Sequence, residues 1–205
     1  KHNEEEQEEG KEGKGGPTLQ LLCGLVQQLA ERIDRGRALA AALLYESLPS
    51  LQGQVPVALW EGLQQAVLAP EGVGVDSLTS IEGWLMPASD SYRRAASLLW
   101  VGGPVQQAIL SGLTASLGGL GEGNVRAAAT ALTQALRSQD PRVPACKAAI
   151  VSRLVQMLED SQPATNAAAA MTVTSSSNNK SKKSELGRLG IPTLRTMDRL
   201  LQEGL

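Results

Sequence analysis

The sequence predicts an all-α protein, a HEAT- or armadillo-like helical repeat of the α-solenoid kind, and three observations carry that expectation. The first is the apolar make-up: 42% of the residues are hydrophobic, yet aromatics make up only 2% and Phe is absent. Ala and Leu supply the bulk, and they favour helices in close contact over strands, which draw on β-branched and aromatic residues. The second is apolar spacing at three and four residues, broken at intervals by Pro and Gly. The third is a repeated triplet: Arg37–Ala40–Leu43, Arg93–Ala96–Leu99 and Arg126–Ala129–Leu132. Three-residue spacing sets each triplet along one helical face. There a small Ala admits a neighbouring helix, Leu fills the groove beyond, and the Arg stem covers apolar surface while its head reaches a turn or a carboxylate. Helix pairs stacked in this way build a superhelix. The triplets are unevenly separated, as degenerate repeats with insertions would be.

Taken in order, residues 1–17 are expected to be a disordered acidic tail. Glu4, Glu5, Glu6, Glu8, Glu9 and Glu12 alternate with Lys and Gly, with no apolar period. Residues 18–160 form the helical-repeat domain. Thr18 is the expected N-cap of the first helix, with Leu21, Leu22, Leu25, Leu29 and Ile33 on one face. A second helix should run from Arg37 to Leu48 and stop at Pro49. A third should start at Pro56 and bury Leu59, Leu63, Val67 and Leu68. Two shorter helices follow, near 76–86 and 90–100. The next spans Pro104 to Leu117 and is stopped by Gly118 and Gly119. Asn124 should cap a helix reaching Ser138, and Pro141 and Pro144 open one with Ile150, Leu154, Met157 and Leu158 on a face. Residues 161–187, rich in Ala, Thr, Ser, Asn and Lys, are expected to be a flexible insertion. Residues 188–205 add a further repeat helix from Pro192, with Leu194, Met197, Leu200 and Leu201 apolar.

The composition narrows the function. A formal net charge of −2 argues against a nucleic-acid binder, which normally carries a basic face. No apolar run approaches the ~20 residues that span a bilayer. The two cysteines, Cys23 and Cys146, sit in apolar helical patterns and are expected to be buried thiols in a reducing compartment. The single histidine is His2, in the acidic tail, which leaves no His for acid–base catalysis or a metal site. Gly13-Lys14 is followed by Gly15, where a phosphate-binding loop needs Ser or Thr. The run Gly118 to Gly123 lacks dinucleotide spacing and follows a helix, not a strand, so it reads as a helix stop and turn. Asn179-Lys180-Ser181 matches a glycosylation acceptor in form only, and Lys180, Lys182 and Lys183 form a short basic cluster. No cofactor is expected and the chain reads as a non-enzyme. What remains is surface: Trp60, Trp84, Trp100, Tyr45 and Tyr92 are the residues able to anchor an interface, or else to pack in the core. A first residue other than Met is read as a piece of a longer protein.

Three segments, in order, resemble the C-terminal region of tubulin-folding cofactor D. The first is Gln28-Leu29-Ala30-Glu31-Arg32-Ile33-Asp34-Arg35-Gly36-Arg37-Ala38. The second is Gly112-Leu113-Thr114-Ala115-Ser116-Leu117-Gly118-Gly119-Leu120 with Glu122 and Val125-Arg126. The third is Ile191-Pro192-Thr193-Leu194-Arg195-Thr196-Met197-Asp198, ending Leu200-Leu201 and Gly204. The resemblance implies a HEAT-like chaperone in tubulin biogenesis, cytoplasmic and associated with the microtubule cytoskeleton and centrosome. Its implied partners are β-tubulin, tubulin-folding cofactors E and C, and an Arf-like small GTPase, and it implies a share in stimulating GTP hydrolysis by tubulin. Candidate partner contacts are Gly118, Gly119, Leu120 and Glu122 in the turn after a repeat helix, with Arg94 and Arg35. The rival readings are a general HEAT-repeat adaptor without tubulin selectivity, and a helical hydrolase or GTPase regulator using Arg94 and Arg126.

Overall fold

A computed structural model describes residues 16–67, 87–139, 141–161 and 189–205. Residues 1–15 of the acidic tail, Leu68, the expected helix near 76–86, Trp84, the glycosylation-like triplet and the basic cluster lie outside the described residues, as does nearly all of the 161–187 insertion.

Eight α-helices are present among the described residues and no strand. Helix α1 is Pro17–Gln28, α2 Asp34–Leu51, α3 Val57–Val67 and α4 Ala88–Ser97, which tightens into a 3-10 turn over Leu98–Val101. Helix α5 is Gly103–Leu117, α6 Glu122–Arg137, α7 Val143–Ser161 and α8 Gly190–Gln202. The longest shared flanks are those of α4 with α6 and of α1 with α5, and α5 also packs on α6, so the two pairs close over one core. Helix α2 packs between α1 and α3, and α8 lies against α5 and α7. Helix stacked on helix in this manner is the arrangement of a HEAT-like repeat segment. Leu44, Leu63, Leu99, Leu113 and Leu132 are among the fully buried side chains of a single apolar cluster. No described helix is long and apolar enough to cross a membrane.

Several helix ends differ from the expected ones for identifiable reasons. Helix α1 starts at Pro17 with Gly16 before it, so Thr18 lies inside the first turn and does not cap. Pro at the first turn gives up an N–H that has no helical partner there. Its buried face is Leu22, Val26 and Leu29, while Leu21 and Ile33 are exposed: the helix ends at Gln28, before Ile33 could share its face. Pro49 does not stop α2, which continues through Leu51. It falls in the last turn, where burial of Leu48 and Leu51 holds the chain and the Trp60 indole N–H donates to the Leu48 carbonyl at 3.2 Å. Helix α6 begins at Glu122 after Gly121, so Asn124 is within its first turn and serves another purpose. Helix α8 begins at Gly190, two residues ahead of Pro192; it buries Thr193, Thr196 and Leu200, and Leu194 and Leu201 face outward. The buried threonines return their hydroxyls to carbonyls one turn back, Thr193 to Leu189 at 2.6 Å and Thr196 to Pro192 at 2.9 Å.

The Ala of each triplet is buried. Each Arg also pairs with an acid in the first turn of its own helix: Arg37 with Asp34 at 2.6 Å, Arg93 with Asp90 at 2.9 Å and Arg126 with Glu122 at 2.6 Å. Of the aromatics, Tyr92 is fully buried, while Tyr45, Trp60 and Trp100 are part-buried against the core. Cys23 is half-buried and Cys146 buried, both as free thiols, and the Gln106 amide donates to Cys146 Sγ at 3.2 Å.

Candidate functional site

The turn between α1 and α2 must dispose of backbone carbonyls that no helix can take, and it does so with side chains drawn from four helices. Ala30 O accepts from Ser116 Oγ of α5 at 2.7 Å. Glu31 O accepts from Arg37 Nη1 of α2 at 2.8 Å and from Tyr92 Oη of α4 at 3.2 Å. Arg32 O accepts from Asn124 Nδ2 of α6 at 2.7 Å. Three consecutive carbonyls thus hold α2, α4, α5 and α6 in one register. Each such bond contributes about 1 kcal/mol net, and more where the donor is charged.

Arg37 is the centre of this clamp. It is 1% exposed, and its guanidinium lies 4.6 Å from the centroid of the Tyr92 ring. Its Nη1 donates to Tyr92 Oη at 3.2 Å as well as to Glu31 O, while Nη2 takes Asp34. Burial pushes the Tyr92 hydroxyl pKa up, opposed by its hydrogen bond with Ser116 and by the charge of Arg37. Tyr92 is therefore a neutral donor at physiological pH.

Two glycines allow the backbones to come this close. A Cβ on Gly112 would overlap Gln27 O and sit 2.9 Å from Ala30 Cβ, so α5 meets the end of α1 only because that atom is missing. A Cβ on Gly118 would overlap the ring of Pro192 at the start of α8. Helix α5 does stop at Leu117 as the glycine pair suggests, but Gly118 has φ −81°, an ordinary right-handed conformation. The residue is needed for contact with α8, not for backbone freedom.

These contacts place the first, second and third family-like segments side by side. Beside them runs an open groove of about 890 Å³, lined by Gly118, Leu120, Ile191 and Pro192, with Arg32 and Arg195 among its charged lining. The outer end is the turn between α5 and α6, where Leu120 is 99% exposed between Gly119 and Gly121. Among the candidate contacts, Gly118 forms the wall against Pro192, Gly119 faces a smaller depression on the other side of the turn, and Leu120 stands at the mouth of the groove. Glu122 is exposed and occupied by Arg126, and Arg35 is exposed at the start of α2. Arg94 is the exception. It is 8% exposed on α4, and burial lowers its pKa, partly offset by Asp90. A side chain so largely enclosed packs the fold and offers little outer surface.

Sequence reasoning did not single out Ser116, Asn124 or Arg32 as a set, although all three stand in or beside the quoted segments. Their signal was polar residues inside otherwise apolar helical words, which mark internal hydrogen bonding as readily as contact with a partner. Among the described residues no three His, Cys, Asp or Glu side chains gather as metal ligands do.

The family model described as the C-terminal region of tubulin folding cofactor D matches residues 19–205, a span that contains all three segments. No curated protein and no solved structure matches the chain.

Proposed function

The chain belongs to the tubulin folding cofactor D C-terminal family, and from that premise we propose that it is a non-catalytic scaffold which holds β-tubulin during assembly and disassembly of the αβ heterodimer. In this role it works in the cytoplasm with cofactors E and C and an Arf-like small GTPase. Its share in stimulating GTP hydrolysis by tubulin is to hold the client in place. The observation that supports this most is Leu120, 99% exposed on a turn whose two flanks, Ser116 and Asn124, are bonded to the α1–α2 turn and whose Gly118 lies against Pro192 of α8. A large apolar side chain held out on a rigid support is what a protein interface uses as an anchor. Gly118, Gly119 and Glu122 set the shape of the turn around it, and Arg35 lies exposed at the start of α2.

The test is capture of β-tubulin and cofactor E by the full-length protein carrying Leu120→Ser. Loss of about tenfold or more in affinity, with an unchanged unfolding midpoint, is the expected result. Capture equal to that of the unaltered protein overturns the assignment of this turn as a contact.

A further inference from the structure

We propose that the groove beside the α5–α6 turn receives an acidic polypeptide segment that carries a large apolar side chain. This rests on the scaffold function above and names the chemistry of the partner at the same site. The groove contains Arg32, Arg153 and Arg195. None of the three makes an ion pair among the described residues, whereas Arg37, Arg93, Arg126, Arg137 and Arg199 each take a carboxylate. Glu31 and Asp160 also line it, and neither is joined to these arginines by an ion pair. Arg153 Nη1 donates to Gln156 Oε1 at 3.0 Å, and its Nε is buried without a hydrogen-bond partner among the described residues.

Among the described residues Arg35 is also without an ion pair and lies outside the groove, but three such arginines lining one groove gather planar donors that a carboxylate from another chain can take. Guanidinium groups are weakly hydrated and match carboxylates two bonds at a time, so they gain most where a groove wall shields them from bulk water. Leu120 and Ile191 stand exposed on the same groove, at 99% and 68%. They call for an apolar side chain between the acids. Phosphates would satisfy the arginines alone, but no aromatic ring lines the groove for a base to stack on.

The experiment is fluorescence anisotropy with the full chain and fluorescein-labelled peptides of alternating Glu-Glu-Leu, with Gln-Gln-Leu as the neutral control and a single-stranded oligonucleotide as the phosphate control. The acidic peptide is expected to bind at least about tenfold more tightly than either control, and to weaken as salt rises from about 50 to 200 mM. The double variant Arg32→Gln, Arg195→Gln should lose that preference without a shift in melting temperature. Both side chains are exposed, and the bond from Asn124 goes to the Arg32 backbone. Equal binding of the acidic and neutral peptides, tighter binding of the oligonucleotide, or a preference untouched by the double variant overturns the inference. If the peptide preference fails while β-tubulin capture still responds to Leu120→Ser, the acidic partner is wrong and the scaffold function stands. If the preference holds and capture ignores Leu120→Ser, the groove binds acidic segments and β-tubulin docks elsewhere.

Discussion

Helices α2 and α6 carry the same triplet, the same buried Ala and the same arginine paired to a first-turn acid, yet they use these parts in opposite ways. In α2 the arginine is inside, 1% exposed beneath Tyr92 and the Glu31 carbonyl, and Leu43 is left 41% exposed. In α6 the Leu is inside, with Leu132 at 1%, and the Arg126 side chain is 76% exposed. A rotation of one helix about its axis moves the packed edge from one end of the triplet to the other. The triplet fixes a face; the neighbours decide which end of that face is sealed. Helix α2 is sealed at its start by the turn from α1, and α6 along its length by α4.

The largest effect expected from this contrast is in the leucines. Leu132→Ala should destabilise the protein by about 2–5 kcal/mol, the range for a core leucine whose cavity cannot fully collapse. Leu43→Ala should cost less, about 1 kcal/mol, because that residue stays 41% exposed and its removal leaves no enclosed cavity. Urea unfolding followed by circular dichroism measures both. Equal midpoints for the two variants would mean that the triplets are structurally equivalent after all.

The arginines should show the reverse order with a smaller spread. Arg37→Ala removes bonds to Glu31 O and Tyr92 Oη and the stem that fills the space beneath the ring. A loss of about 2–3 kcal/mol follows from charged hydrogen bonds given up inside the fold. Asp34 adds little to that figure, since its carboxylate is largely in water. Arg126→Ala breaks a pair exposed on both sides and should change stability by less than about 0.5 kcal/mol. A costly Arg126→Ala together with a harmless Arg37→Ala would show that the clamp on the α1–α2 turn is not holding the helices.

The contrast also marks how far the sequence could be read. Among the described residues helix existence was legible, because apolar spacing is a local property, and Leu59, Leu63 and Val67 of α3 or Ile150, Leu154 and Met157 of α7 are buried as their spacing implies. Helix ends were less so. Asn124 looks like a cap by its type and place, and only the nearness of Arg32 O, remote in sequence, explains why it is there. Arg94 and Arg37 show the limit most plainly. Nothing within either helix separates an arginine that faces solvent from one enclosed by its neighbours, since the enclosing residues come from other segments. The site was legible as three words and not as one place: Gly118 reads as a helix stop until Pro192 is seen against it.

A smaller effect than that of Arg37→Ala tests the clamp itself. Tyr92→Phe keeps the ring under which Arg37 lies and removes only the hydroxyl, which donates to Glu31 O and accepts from Arg37. About 1 kcal/mol should be lost at neutral pH. The pH dependence separates this bond from general packing. Burial raises the folded-state pKa of Tyr92 above its unfolded value near 10. The contribution is therefore whole below that unfolded value and falls away as pH rises through the window up to the folded one, because the unfolded chain then releases a proton that the folded chain retains. Burial raises the Cys23 thiol in the same sense from a lower starting value, so the comparison is best made in a Cys23→Ser background. In that background the protein that keeps Tyr92 should lose stability with alkali more steeply than the Tyr92→Phe variant, the two curves converging as pH climbs. Parallel curves would place the hydroxyl outside the clamp, and α2 would then differ from α6 only in which side chain it happens to bury.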